Sequence, residues 1–427
     1  MKRADDLAGV IRLFDPRKPL SGEALQAFYI DRPGNPLQRM QTYLQGLGLA
    51  GQPVKLLFTG HVGSGKSTEL NRLATLLKSR FFIVNLDVRR SLNLADLTYV
   101  DILLGLTTSL FHRATETDVL VKAPAQIAAE VWEDVSLFIE RTILGPVHLP
   151  TPSKTGAEFS AKVNLLAAGF EAKFSQETST RQAVREQMQG RVAELVDKLD
   201  FVARQVRDRY KRPVLFFIEN TDKPDLDTAR ALFLNHTHSL TAFEAAAIYT
   251  FPVGLRYSPD FTLIKDLFDH HFVLPNIKVN ERDGSESPEC TEHLRRAVEL
   301  RADLGLLDPD ALDTIIHASG GLIRTLIRLV QGAAVHALSA GQDQITLESA
   351  LAAISEERAD YIAALSADDY TVLAERMRDK ELSSDEAVER LLQSRALMEY
   401  ANGTPWCDVH PVIRDLVKER AKEDSTA

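Results

Sequence analysis

Gly60, Gly63, Ser64, Gly65, Lys66 and Ser67 stand at the spacing G-x-x-x-x-G-K-S, the set of residue types that a polyphosphate chain requires. Glycines let consecutive backbone N–H groups converge on the β- and γ-phosphates, the Lys66 ammonium adds a point charge there, and the Ser67 hydroxyl suits Mg²⁺. With Thr68, these are the expected residues for binding a nucleoside triphosphate. A second stretch, Val214 to Ile218 followed by Glu219, Asn220, Thr221 and Asp222, is an apolar run that ends in acids, which suits handling of Mg²⁺ and water. Ser67, Glu219 and Asp222 form the expected metal set.

Such residues work only if a strand precedes the glycine loop and a helix follows it. Val54 to Thr59 is an apolar run of strand character, and Leu70, Leu73 and Leu77 recur at helical spacing after the loop. Further apolar runs at Phe81 to Leu86, Val214 to Ile218, Ala246 to Thr250 and Phe272 to Leu274 lack polar alternation. Strands covered by helices on both faces read this way, so the expected fold class is α/β with a parallel sheet.

About 125 residues separate the second and third runs, far more than a crossover helix needs, so an insertion is expected over about 90–212. It reads as helices at Leu94 to Ala114 and Pro124 to Ile143, a proline-marked loop at Gly145 to Pro152, and a hairpin at Phe159 to Phe174 around Gly169. One long helix follows, capped by Ser179 with Gln182 three residues on, carrying the stripe Val184, Met188, Val192, Leu195, Leu199, Val202 and Val206, and ending at Lys211 to Pro213. The expected division is a core over 1–280, a helical lid over 281–357 and a winged-helix-like module over 358–427. That module contains a hairpin turning at Asn402-Gly403.

With 44% hydrophobic and 26% charged residues, the composition is that of an ordinary globular chain. The net charge of −10 argues against a generally basic surface that coats nucleic acid. Cys290 and Cys407 form no metal or redox pattern, no apolar run approaches membrane-spanning length, and the amino terminus lacks a signal-peptide core. A cytoplasmic protein without a membrane segment is expected. His236, His238, His270 and His271 lack a third ligand at recognisable spacing and are read as solvated or core side chains.

Taken together, the two motifs resemble those of the AAA+ superfamily and its signal-transducing relatives. The resemblance spans about 300 residues, from Phe28 to Ile354. It implies ATP with Mg²⁺ as ligand and ATP hydrolysis as activity. Glu219 stands where those families usually have an Asp, Asn220 stands where many have the catalytic Glu, and Asp222 matches the later acid of an Asp-x-x-Asp form. Thr250 falls at the position of the polar sensor for the attacking water. Arg324, in Ser319-Gly-Gly-Leu-Ile-Arg324, falls where a lid arginine reaches the γ-phosphate. Asp31 and Arg32 match the motif beside the adenine, with Tyr29 and Ile30 as pocket walls.

An arginine reaching a neighbour's γ-phosphate is missing between Ser258 and Phe272. Arg256, Arg181 and Arg185 are the candidates. The resemblance implies a nucleotide-controlled switch working with protein partners or by self-association, in regulation or defence-type signalling. Two alternatives are DNA-linked work, such as replication initiation or transposition control, and a non-hydrolysing scaffold. Residues 355–427 carry 17 acids against 10 Lys plus Arg, so DNA binding by the terminal module is expected to be disfavoured.

Overall fold

The computed structural model describes residues 2–50, 52–116 and 178–426. The helices expected at 124–143, the loop at 145–152 and the hairpin at 159–174 lie outside the described residues. Five strands, β1 (Lys55–Thr59), β2 (Phe82–Asp87), β3 (Val214–Glu219), β4 (Ala246–Phe251) and β5 (His270–Val273), form one parallel sheet in the order β2-β3-β4-β1-β5. The α/β class is that expected.

Leu57, Phe216, Ile218 and Tyr249 face one side of the sheet. There they pack under α6 (Tyr99–Glu116), α7 (Thr178–Gln189) and α8 (Val192–Tyr210). Leu56, Phe58, Phe217 and Ile248 face the other side, under α3 (Leu37–Leu47) and α4 (Lys66–Leu77). This two-sided cover is why the strands read as unbroken apolar runs. A phenol so deep needs an acceptor, and the Tyr249 hydroxyl donates to the Leu240 carbonyl at 2.7 Å.

The single long helix expected after Ser179 is two helices. Ser179 lies inside α7 rather than capping it, and the chain breaks at Gly190 and Arg191 before α8 begins. Glycine weakens a helix interior, and Arg191 leaves helical geometry at φ −128°. Both halves of the apolar stripe still reach the core, Met188 from α7 and Leu195, Leu199 and Val206 from α8.

The remaining helices form a second cluster beside the sheet. It comprises α1 (Leu7–Leu13) together with α11 (Pro288–Glu299), α12 (Pro309–Ala318), α13 (Ile323–Ser339) and α14 (Leu347–Ala364). It continues into α15 (Ala367–Asp379), α16 (Glu386–Ser394) and the hairpin β6 (Leu397–Asn402) and β7 (Thr404–Val409), closed by α17 (Arg414–Thr426). Asn402 pairs with Thr404, so the hairpin turns at Gly403. Four short helices complete the elements around the site: α2 (Gly22–Phe28), α5 (Val88–Ser91), α9 (Leu226–Arg230) and α10 (Val253–Arg256).

Parallel pairing in register gathers the strand ends. Phe58 lies beside Thr250, and Asp87 lies beside Glu219. The glycine loop, both acidic strand ends and Thr250 therefore meet at the carboxyl edge of one sheet, the edge where open α/β sheets bind ligands.

Candidate functional site

The loop leaves β1 at Thr59 and turns into α4 at Lys66. Gly63 adopts φ +99°, and a methyl there would come within 3.0 Å of the Arg324 side chain. The close approach exists because Arg324, in the first turn of α13, donates its backbone N–H to the Gly63 carbonyl at 3.1 Å. The start of α13 thus rests directly on the loop. Between them and the sheet edge lies a cleft of about 400 Å³ lined by Gly63 to Ser67, Glu219 and Arg324.

Lys66 is engaged at every donor, with Gly60 O at 2.6 Å, His61 O at 3.0 Å and Asp222 Oδ2 at 2.7 Å. Burial pushes the Asp222 carboxyl up, but the Lys66 ammonium outweighs it and holds the group below its ordinary value. Asp222 is therefore first a partner of Lys66 in this structure.

Glu219 behaves differently. Burial, reinforced by repulsion from Asp87 and Asp222, raises its carboxyl to about 7, against a hydrogen bond from Ser67 that lowers it. All three members of the expected metal set, Ser67, Glu219 and Asp222, line the cleft. A hydroxyl and a carboxylate with a second acid beside them are hard oxygen donors suited to Mg²⁺, so the residues fit that ion.

Several of the expected site residues also bond within the chain. The Thr250 hydroxyl lines the cleft, but it accepts the Thr221 N–H at 3.1 Å and lies 3.1 Å from the Thr221 hydroxyl, pinning the turn after β3. It is positioned to hold that turn. Thr68 accepts the Leu20 N–H at 3.1 Å and so ties the amino-terminal segment over the cleft. Arg32 is buried and bridges the Ser64 carbonyl at 2.5 Å and the Pro275 carbonyl, fastening the loop to the end of β5. Asp31 is exposed outside the cleft lining, 3.0 Å from the Tyr29 hydroxyl. Tyr29 and Ile30 line the cleft.

All three arginines considered for a neighbouring site are held internally. Arg181 binds Asp96 at 2.9 Å, Arg185 binds Asp101 at 2.6 Å, and Arg256 pairs with Glu399 of β6. Reaching another copy would mean breaking a partly buried ion pair in each case.

Asp87, Lys223 and Arg89 line the cleft and were not singled out from the sequence. Asp87 accepts the Asn220 side-chain N–H at 2.5 Å, and Asn220 adopts φ +68°, a left-handed conformation that Asn tolerates better than most residues. Burial and the nearby Arg324 and Arg89 depress Lys223, while Asp222 opposes the shift. Burial, with Arg395, Arg328 and Arg89, likewise depresses Arg324. These cations repel one another at the phosphate end of the cleft.

The carboxyl-terminal hairpin also reaches the loop. The Glu399 N–H donates to His61 Nε2 at 2.7 Å, Asn276 donates to the Glu399 carbonyl at 3.0 Å, and Gln393 of α16 donates to the Asp222 carbonyl at 2.8 Å. Burial, with Lys66 and Arg395, holds the His61 imidazole down at about 3, so its ring is neutral and can accept.

Solved structures with a similar course of chain cover almost all of it. Cdc6p from Pyrobaculum aerophilum is 12% identical with a TM-score of 0.45, over 97% of this chain and 98% of that one. The ORC2 protein of Aeropyrum pernix in its ADPNP–ADP complexes is 12% identical with a TM-score of 0.44, over 97% and 98%. The ORC1 protein of Aeropyrum pernix in complex with DNA is 14% identical with a TM-score of 0.40, over 93% and 94%. These neighbours are Cdc6 and ORC proteins. No protein-family model matches the chain, and no curated protein sequence matches it significantly. Among the described residues no helix is long and apolar enough to cross a membrane.

Proposed function

We propose that the chain is an AAA+-like ATPase that binds ATP in this cleft and hydrolyses its terminal phosphoanhydride. The observation that carries the reading is the meeting, at one sheet edge, of the glycine loop, Ser67 with Glu219 and Asp222, and Arg324 of α13 bonded to the Gly63 carbonyl. The backbone N–H groups opening α4, with Lys66, hold the phosphates. Ser67 and Glu219 would hold Mg²⁺, with Asp222 free to join once Lys66 turns to the phosphate; bound there, the ion supplies charge neutralisation at the β- and γ-oxygens. Water oxygen bonds to the γ-phosphorus as the bridging P–O bond breaks, its electron pair leaves on ADP, and the water's proton passes to a phosphate oxygen. Arg324 reports the γ-phosphate to the lid, and the terminal winged-helix-like module receives that signal through β6 and α16. The chain then acts as a nucleotide-held switch for protein partners or further copies, in regulation or signalling.

A DNA-linked role stands beside this one. The acid excess over 355–427 overstates the negative field there, because Glu389 and Glu399 are buried in ion pairs with Arg230 and Arg256, which lie outside that segment. ATP-dependent, salt-sensitive binding of duplex DNA would favour that role. A third reading, a scaffold that binds without turnover, is favoured by Asn220, which bonds Asp87 where the family has a catalytic acid.

The deciding experiment is phosphate release from MgATP by the chain beside Lys66→Ala and Glu219→Gln, with mass measured with and without ATP. Turnover lost in both variants supports the ATPase. Tight ATP binding without turnover establishes the scaffold, and no ATP binding refutes the reading.

A further inference from the structure

The turn that follows β3 is held from every side. Asn220 bonds Asp87, Thr221 bonds Thr250, Asp222 pairs with Lys66, and the Asp222 carbonyl accepts from Gln393. A left-handed Asn inside such a clamp is strain that the surroundings over-determine, a condition that clusters at functional sites. What the clamp fixes is the next residue, Lys223. Its backbone N–H closes the turn on the Asn220 carbonyl at 3.3 Å, and the residue lines the cleft together with Glu219, Arg89 and Arg324.

Lys223 and Arg89, like Arg324, differ from the other cations that line the cleft. Lys66 has its three partners and Arg32 is tied to two carbonyls. Among the described residues, the side chains of Lys223, Arg89 and Arg324 make no hydrogen bond or ion pair. Three cations gathered at one end of the cleft without a hydrogen-bonded partner can receive an anion. Arg89 starts from α5, whose cap is Asp87, the same carboxylate that holds Asn220, so one acid sets the origin of both Arg89 and Lys223.

Resting on the ATPase reading, we propose that Lys223, with Arg89 beside it, neutralises the charge that develops on the γ-phosphoryl oxygens. The chain thereby completes its own hydrolytic site, without an arginine from a second copy. A preorganised cation aimed at developing charge acts in the transition state more than in binding. ADP, which lacks the γ-phosphate, should then bind almost equally well without Lys223.

The test measures kcat at saturating MgATP and ADP affinity for the full chain, Lys223→Ala, Lys223→Arg and Arg89→Ala, with wild-type specific activity followed over a hundredfold range of protein concentration. Expected for Lys223→Ala is a loss in kcat of about 10²- to 10³-fold, with ADP affinity within about threefold. Lys223→Arg should recover at least about tenfold, Arg89→Ala should lose about tenfold, and wild-type specific activity should not change with concentration. Lys223→Ala retaining more than about a third of wild-type kcat overturns the proposal, as does an equal loss of ADP affinity, which would make the residue only a support of the turn. Specific activity rising with concentration would place the missing cation on a second copy and also overturns it. A wild-type chain that binds ATP without turnover, or does not bind it, removes the ATPase reading and this proposal together, whereas failure of the Lys223 arm alone leaves that reading standing.

Discussion

Acid should loosen the carboxyl-terminal hairpin from the phosphate loop. His61 accepts the Glu399 N–H, and His410 is buried nearby with its ring 4.8 Å from that of Tyr361, tilted 32° to it. Burial comes first in holding both imidazoles down at about 3, and the charges facing them add to it: Lys66 and Arg395 at His61, and Arg395 and Arg414 at His410, with each histidine also near the other. An open or unfolded form returns each ring to about 6.5. The docked form therefore gains full benefit above pH 6.5 and loses it as pH falls from there toward 3. At pH 5.5 the loss is about 1.4 kcal/mol per histidine, or about 2.8 kcal/mol for both, a roughly hundredfold rise in the open population. Protonation at His61 Nε2 also removes the acceptor for Glu399. Amide exchange over 397–409 at pH 7.5 and 5.5, corrected for intrinsic rates, reads this directly. In a His61→Gln, His410→Gln double variant, which keeps an acceptor but does not titrate, the acid-induced loss of protection should disappear. The same loss in the double variant, or none in the wild type, refutes the reasoning.

Two further perturbations test the geometry. Gly321 adopts φ +78° where a methyl would overlap the Ile277 carbonyl, so Gly321→Ala should cost about 3 kcal/mol or more in thermal or denaturant unfolding, and a cost below about 1 kcal/mol would contradict it. At Asn220, both Gly and Ala lose the bond to Asp87, but only Ala pays for the left-handed backbone. Asn220→Gly should be more stable than Asn220→Ala by about 1 kcal/mol, and the reverse order would remove the strain from the turn after β3.

The phosphate loop, the five strands and the acids after β3 were legible because each is a local pattern: glycines at fixed offsets, apolar runs, and a strand ending in carboxylates. The hairpin at Gly403 was legible for the same reason. Less was legible wherever a side chain's use depended on a distant partner. The bond between Thr250 and Thr221, and the bridge from Arg32 to the Ser64 and Pro275 carbonyls, could not be read from spacing along the chain. The unbroken stripe from Val184 to Val206 concealed the break at Gly190, since both halves bury the same face.

Chain order determined that a glycine loop of the pattern G-x-x-x-x-G-K-S lies between a strand and a helix, because backbone conformation and spacing within some twenty residues suffice for that. Tertiary structure alone decided which charges remain available there. Asp87 stands next to Glu219, although more than a hundred residues separate them, because β2 pairs with β3 in register. His61 meets Glu399 because the hairpin folds back onto the first strand's loop. Free and committed cations differ only in which carboxylates and carbonyls the fold brings within 3 Å, a matter of three-dimensional distance that spacing along the chain does not encode.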